Sequence, residues 1–145
     1  MNNKVIFLGG TTGANKWRDG FTDTLVARGV SSHDIFNPVV EHWDEAARAT
    51  EEKVKAECGY LMFYLGNPGN GQPSAYSMVE ATMALYDKPE RTVVLFDTAG
   101  FEGHALKAMT QSFNVLKVRF PDANIFLGQE SAIDWFVEQH LDKVA

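Results

Sequence analysis

Five short apolar runs alternate with longer segments of helical character along this chain, and that alternation limits the folds open to it. The runs cover residues 4–8, 34–36, 60–65, 91–96 and 124–127, and turn-forming Gly, Pro, Asn or Asp residues follow most of them. Parallel strands all begin at the same end of a sheet, so the chain must cross back over the sheet between them, usually as a helix. Strands that alternate with helices are therefore typical of a parallel sheet. The pattern therefore predicts an α/β fold with helices on both faces of a parallel sheet.

The segments between the runs show the periodicity of helices that cover a sheet. Trp17, Phe21 and Leu25 are four residues apart and Gly29 closes the segment, so we expect Trp17 to face the core. The other predicted helices cover residues 43–57, 74–86, 104–114 and 131–141, the last one capped at Ser131. Together these elements predict a flavodoxin-like or Rossmann-like three-layer sandwich with a five-stranded parallel sheet, formed as one domain by residues 1–145.

Charge and cysteine content restrict the partners that such a domain would bind. A net charge of −6 argues against binding to a nucleic acid, since affinity for the phosphate backbone comes from clustered Lys and Arg. A single cysteine, Cys58, cannot form an intramolecular disulfide, and the apolar run at residues 4–8 is far too short for a signal peptide or a membrane span. We therefore expect a cytoplasmic protein that does not bind membranes.

One carboxylate stands alone in the segment 66–86, which reads GNPGNGQPSAYSMVEATMALY. A loop rich in Gly, Pro and Asn gives way at Ser74 to a predicted helix whose one charge is Glu80. Burying an ionised carboxylate without partners is costly, so such a residue is paired, exposed on one stripe of the helix, or employed in chemistry. We favour the chemical role for Glu80, and the alternative is a polar residue on a half-exposed helix.

Four turn-forming segments follow predicted strands, at residues 9–13, 37–38, 66–74 and 97–100. In doubly wound sheets ligands bind outside the carboxyl ends of the strands, so these segments are expected to converge on one cleft with Glu80 at its wall.

Several familiar kinds of site are missing from the sequence. The chain reads GGTTG after the first run, where a dinucleotide site would have G-x-G-x-x-G, and it has no Walker A lysine motif. The four histidines are scattered, and no serine lies in a nucleophile elbow. We expect no cofactor and no metal. The remaining carboxylate, hydroxyl, amide and aromatic groups suit a sugar or nucleoside, whose anomeric carbon a carboxylate can attack.

The order and spacing of several short motifs resemble the nucleoside 2-deoxyribosyltransferase-like family over residues 4–96. These motifs are FLGG in the first run, the pair Trp17 and Arg18, FNP at Phe36, Asn37 and Pro38 followed by Trp43, and S-x-x-S-x-x-E at Ser74, Ser77 and Glu80. The resemblance implies that Glu80 is a nucleophile, that the base leaves, and that another base or water resolves the glycosyl intermediate. It also implies a flavodoxin-like subunit that forms dimers or higher oligomers, in which a neighbouring chain often completes the sugar site.

Two positions bear on the details of that resemblance. Ser74 stands where the better-studied transferases have an Asp, whereas related nucleoside 5'-monophosphate N-glycosidases have a Ser there that contacts phosphate. A hydroxyl and free N–H groups at a helix start accept an anion that an Asp would repel. Glu51 lies nearest to the family's acidic residue that helps protonate the base; alternatively, Glu51 and Glu52 form a solvated helix face.

The other candidate site residues each have a structural alternative. Tyr76, one turn before Glu80, could orient that carboxylate, and Arg18 could reach the mouth of the cleft or lie in solvent. Trp43 could stack on a base or pack against the sheet. The remaining candidates for substrate contact are Gly9, Gly10, Thr11 and Thr12, which would otherwise form a tight turn, and Asn37, Asn67, Gln72, Ser74 and Ser77.

The sequence therefore predicts cleavage or transfer of the N-glycosidic bond of a 2'-deoxynucleoside through a glycosyl ester on Glu80. A 5'-monophosphate N-glycosidase is the alternative within the same chemistry. A non-catalytic nucleotide-binding module is the alternative from another class, and cleavage of a nicotinamide or ADP-ribose glycosidic bond is a third.

Overall fold

Five parallel strands form one sheet in the computed structural model, which describes residues 3–142. The strands are β1 (Ile6–Gly10), β2 (Ile35–Phe36), β3 (Tyr60–Leu65), β4 (Thr92–Phe96) and β5 (Asn124–Leu127). The helices are α1 (Trp17–Ala27), α2 (Glu45–Glu57), α3 (Ala75–Asp87), α4 (Gly103–Arg119) and α5 (Gln129–Asp142). The strand order is β2-β1-β3-β4-β5, so the predicted flavodoxin-like three-layer fold is confirmed. This order places the topological switch point between β1 and β3, where such folds bind ligands.

Helices cover both faces of the sheet, which explains why the strands are continuous apolar runs and do not alternate with polar residues. On one face α1 and α5 pack over β1, β3 and β4, and Phe21 and Phe136 are fully buried there. Trp17 is 4% exposed in this layer, as its spacing predicts. The opposite face is covered by α2, α3 and α4, with Ala81, Leu85 and Met109 in its core.

The first strand ends later than the sequence pattern indicated. Gly9 and Gly10, expected in a turn, are the last residues of β1 and pair with Phe63 and Tyr64 of β3. The strand continues because glycine permits an approach to the neighbouring backbone that a side chain would block. Gly10 has φ of 104°, and the chain leaves the sheet after it.

Three helix boundaries also differ from the predictions. Helix α2 begins at Glu45, because the Asp44 carboxylate accepts a hydrogen bond from the Ala47 amide at 2.7 Å, so Trp43 precedes the helix. Helix α4 runs to Arg119, five residues beyond the predicted end, since no Gly or Pro interrupts it before Pro121. Helix α5 begins at Gln129, and the predicted cap at Ser131 is wrong: Gly128, with φ of 92°, turns the chain into the helix earlier.

Within residues 3–142, no helix combines the length and the apolar content that crossing a membrane requires.

Candidate functional site

A cleft of about 620 Å³ opens at the carboxyl ends of β1 and β3, on the side of the sheet covered by α2 and α3. Gly9, Gly10 and Phe7 of β1 contribute to its floor together with Phe63 of β3. Phe7 and Gly9 are two residues apart on β1, and Gly9 pairs with Phe63, so these groups share one face of the sheet. The cleft therefore has an apolar floor at the switch point of the sheet.

Glu80 projects from α3 into this cleft. Its side chain is 28% exposed, and Oε2 lies 3.4 Å from the Nζ atom of Lys55 on α2. Between Ala75 and Tyr86 no other residue of α3 is charged. Of the three situations open to this carboxylate from the sequence, the structure shows that it is paired, and that the pair lies at the wall of this cleft.

The N-terminal end of α3 forms part of the same wall. The Ser74 hydroxyl caps the helix by accepting a hydrogen bond from the Ser77 amide at 3.4 Å, and it donates to the Ser77 hydroxyl at 3.1 Å. Both serines line the cleft, and Ser77 is buried. Tyr76 lines it too, but its side chain is 75% exposed, and the polar contact shown for Glu80 is to Lys55. The predicted orienting role of Tyr76 stays a prediction.

Arg18 lines the cleft as a buried residue and does not extend into solvent, so the solvated alternative for this residue is wrong. It is 6% exposed, and its guanidinium donates to the carbonyl oxygens of Leu8 at 2.9 Å, Thr11 at 2.9 Å and Gly10 at 3.2 Å. The guanidinium carbon lies 4.6 Å from the ring centroid of Trp17. Burial lowers the pKa of Arg18 to about 10, although the negative charge of Glu51 acts in the opposite direction.

The opposite wall comes from α2 and the segment before it. Glu51 and Lys55 are one helical turn apart and both line the cleft, whereas Glu52 is exposed beside them. Glu51 is half-buried and lines the cleft near Arg18, and its predicted role in protonating a base stays a prediction. Trp43 also lines the cleft and is 57% exposed, so its ring is not buried against the sheet.

Four predicted substrate contacts do not line this cleft. The Thr11 hydroxyl is buried between the amide and carbonyl of Gly66, at 3.1 and 3.2 Å, and it ties two loops together. The Asn67 side-chain oxygen accepts from the amides of Gly69 and Gly71 and shapes the Gly-rich loop. The other two are Asn37, whose side chain accepts from the Val39 amide beside a neighbouring depression, and Gln72, which is exposed.

A polar network behind the cleft holds the loops that follow β1 and β3. The Tyr64 hydroxyl donates to Asp97 at 2.6 Å, and its ring stacks on Trp17 with the ring centroids 4.3 Å apart. Asn15 donates to the Asn67 carbonyl oxygen at 2.8 Å and so links the two loops directly. Burial, followed by the hydrogen bond to Asp97, raises the pKa of Tyr64. The phenol is therefore a structural group in this network.

The sequence did not reveal every group that lines the cleft. Lys55 was missed, although its position four residues after Glu51 on one helix face was a usable signal. The other missed groups are apolar: Phe7, Val39, Val40 and Phe63. Apolar side chains of this kind cannot be told from core residues before the topology is known.

Comparison with known proteins does not add to this description, as no protein-family model and no curated protein matches the chain. Within residues 3–142, no cluster of three or more His, Cys, Asp or Glu side chains could hold a metal ion. The chemistry that the cleft can perform therefore follows from its own residues: a carboxylate beside an ammonium, two hydroxyls at a helix start, and apolar surfaces able to contact a flat ring.

Proposed function

We propose that this protein cleaves the N-glycosidic bond of 2'-deoxynucleosides through a covalent glycosyl ester on Glu80. The observation that carries the proposal is the position of Glu80, the single charged residue between Ala75 and Tyr86, at the wall of the cleft beside the switch point. A carboxylate so placed, part-buried and next to a cation, can act as a nucleophile at a sugar carbon. The resemblance to nucleoside 2-deoxyribosyltransferases supports the same assignment.

The reaction has two displacements at the anomeric carbon. In the first, a Glu80 carboxylate oxygen forms a bond to C1', the C1'–N bond breaks, and its electron pair leaves with the base, which takes up a proton. In the second, water or another base attacks C1', the ester bond breaks, and the Glu80 carboxylate is regenerated. Both displacements use the same residue, so a single substitution at Glu80 should stop hydrolysis and transfer alike.

The walls of the cleft fit the two halves of a nucleoside. The exposed ring of Trp43 offers flat apolar surface, as a nucleobase requires, and the exposed side chains of Val39 and Val40 line the same cleft. The hydroxyls of Ser74 and Ser77 lie with Glu80 on α3, where a sugar would present its own hydroxyls. Glu51, on the Trp43 side, is a candidate for contact with the base.

Chromatography of free base tests the proposal. We expect base release from at least one member of a panel of 2'-deoxynucleosides and their 5'-monophosphates, incubated with and without a second base. Exchange that depends on the second base would identify a transferase, and release without it a hydrolase. If nucleotides raised the melting temperature but no base were released, the result would contradict the proposal and favour a binding module. Release of nicotinamide from NAD would instead indicate cleavage of a nicotinamide glycosidic bond.

A nucleoside 5'-monophosphate is a second candidate substrate, for a specific reason. The capped start of α3, with the hydroxyls of Ser74 and Ser77, opens into the cleft, and Arg18 lines the same space. The Arg18 contacts described above are to carbonyl oxygens, with no carboxylate within salt-bridge distance among residues 3–142. Hydroxyls, helix N–H groups and a guanidinium together favour a phosphate.

Ser74→Asp separates the two candidate substrates. Asp caps a helix as well as Ser does, so the fold should be retained, but its charge would repel a phosphate at this end of α3. We expect kcat/KM for thymidine 5'-monophosphate to fall by about 10-fold or more, while kcat/KM for thymidine changes by less than roughly threefold. Steady-state assays of both substrates check this, with Ser74→Thr as the matched uncharged control. Equal losses on the two substrates would contradict a phosphate contact at Ser74.

We also infer that the protein self-associates through α3. Four large side chains on the outer face of this helix are exposed at positions i, i+3, i+7 and i+10: Tyr76 (75%), Val79 (58%), Met83 (59%) and Tyr86 (58%). Their spacing places them in one stripe, and apolar stripes of this length are typical of helix pairing. The order aromatic, aliphatic, aliphatic, aromatic reads the same in both directions, which suits an antiparallel pair related by a two-fold axis.

Met83→Glu is expected to produce monomers, because each copy would bury a charge at the centre of the pairing stripe. Sedimentation velocity on the full chain would show a dimer or larger species for the wild type and a monomer for the variant. Lys107→Glu, an exposed change on α4, serves as the control and should not alter the sedimentation coefficient. A wild-type monomer at high micromolar concentration would contradict the inference.

A further inference from the structure

We propose that Lys55 supplies the proton that the departing base takes up, and that the charge of Glu80 controls this transfer. The proposal rests on the glycosyl chemistry proposed above for Glu80. It assigns a role to a residue that the sequence motifs did not single out.

The geometry of the Lys55–Glu80 pair carries the argument. Nζ of Lys55 lies 3.4 Å from Oε2 of Glu80, and both side chains line the cleft. The two side chains are 38% and 28% exposed, whereas the other ion pairs of residues 3–142, Arg28 with Asp134 and Arg48 with Glu52, are more exposed. Water therefore screens the Lys55–Glu80 pair less than it screens the others, and the direct contact exposes each partner to a change in the charge of the other.

Formation of the glycosyl ester is such a change. Before attack, the Glu80 carboxylate stabilises the Lys55 ammonium. Once the carboxylate oxygen is bonded to C1', its negative charge is lost, and the ammonium remains beside a neutral ester in a part-buried site. An ammonium without its counter-charge gives up a proton more readily, so the step that creates the leaving group also prepares its proton donor.

The proton and electron balance is complete in both half-reactions. In the first, the C1'–N9 electron pair of a purine nucleoside passes to the base, and a proton moves from Nζ of Lys55 to N7, which leaves a neutral base and a neutral amine. In the second, water attacks C1', its proton passes to that amine, and the C1'–Oε bond breaks to regenerate the carboxylate. The ion pair is then restored for the next turnover.

Other groups in the cleft are less suited to donate this proton. At neutral pH a lysine side chain carries its proton and a carboxyl group ordinarily does not. Glu51 lines the same cleft near Arg18, but the polar contact shown for the nucleophile is to Lys55. Tyr76 belongs to the outer stripe of α3, and the polar contact shown for Glu80 is to Lys55. Lys55 combines an available proton with direct contact to the nucleophile.

A leaving group that needs no proton tests the proposal. The base of 7-methyl-2'-deoxyguanosine carries a positive charge and departs as a neutral molecule, while the base of 2'-deoxyguanosine must be protonated. We expect Lys55→Met to lower kcat/KM for 2'-deoxyguanosine by about 10²- to 10⁴-fold and to change that for the methylated substrate by less than about 10-fold, after subtraction of spontaneous loss. Both substrates are also assayed as their 5'-monophosphates.

Two further variants separate proton transfer from a merely structural effect. Lys55→Arg keeps a positive charge beside Glu80 but gives up its proton far less readily, so it should resemble Lys55→Met in its dependence on the leaving group. Lys53→Met changes an exposed lysine on the same helix and should match the wild type on both substrates. Melting temperatures confirm that each variant is folded.

The outcomes distinguish this proposal from the one on which it rests. Equal losses on both substrates in Lys55→Met, or full activity in Lys55→Arg, would overturn proton donation and leave Lys55 as a group that positions Glu80. A leaving-group-dependent loss in Glu51→Gln, with Lys55→Met unaffected, would assign the proton to Glu51 and overturn the proposal. If the wild-type protein cleaved neither substrate, as the nucleoside or as the 5'-monophosphate, both proposals would be overturned for these purines before any variant is compared.

Discussion

Replacement of Glu80 by glutamine is expected to abolish release of the base from any nucleoside that the wild-type protein cleaves. An amide is a far weaker nucleophile than a carboxylate, so the glycosyl ester cannot form at a useful rate. Loss of a catalytic nucleophile lowers kcat by at least about 10⁴-fold in enzymes with covalent intermediates, and we expect a loss of that order here. Chromatographic detection of free base over long incubation measures the residual rate.

The fold should survive this change. Glutamine has the size of glutamate, the side chain is 28% exposed, and Lys55 can reach solvent when its partner is neutral. We expect the melting temperature to shift by only a few degrees, since a part-exposed ion pair contributes about 1 kcal/mol or less. Glu52→Gln changes an exposed carboxylate on α2 and is the matched control, with unaltered activity. Near-normal turnover in Glu80→Gln would end the assignment of Glu80 as the nucleophile.

The fold could be predicted because each strand and helix is indicated by the pattern of residues within its own segment. Each strand is a run of apolar residues long enough to cross a sheet that is covered on both faces, and β3, at the centre, is buried at all six positions. The predicted boundaries of strands and helices were wrong where tertiary contacts determine them. Gly9 and Gly10 extend β1 because β3 pairs with them, and Gly128 begins α5 before Ser131. A single residue of the sequence does not show which neighbour it will meet.

The same distinction explains what the sequence could show of the site. Glu80 was singled out because it is the single charge between Ala75 and Tyr86, and Ser74 because it precedes that helix. Thr11 and Asn67 have equally suitable side chains, but their polar atoms bond to loop backbone, and sequence does not distinguish a loop-shaping amide from a ligand-binding one. Lys55 belongs to another helix, so its contact with Glu80 depends on how α2 and α3 pack.

Gly10→Ala is expected to destabilise the protein strongly. Gly10 lines the cleft, but the pairing of β1 with β3 also requires a residue without a side chain at this position. A Cβ atom at Gly10 would overlap the backbone amide and carbonyl of Tyr64, and its φ of 104° is one that L-residues rarely adopt. We expect a loss of about 3 kcal/mol or more and a fall in melting temperature of roughly 10 °C, measured by circular dichroism. Gly20→Ala is the matched control: Gly20 lies within α1, its added methyl group meets no atom within 4 Å, and a gain of about 0.5–1 kcal/mol is expected.

Were Gly10 needed mainly for close approach of a substrate, Gly10→Ala would raise KM and leave the melting temperature unchanged. The positive φ of Gly10 and its close approach to Tyr64 favour the structural role. The same close approach of β1 to β3 forms the floor of the cleft.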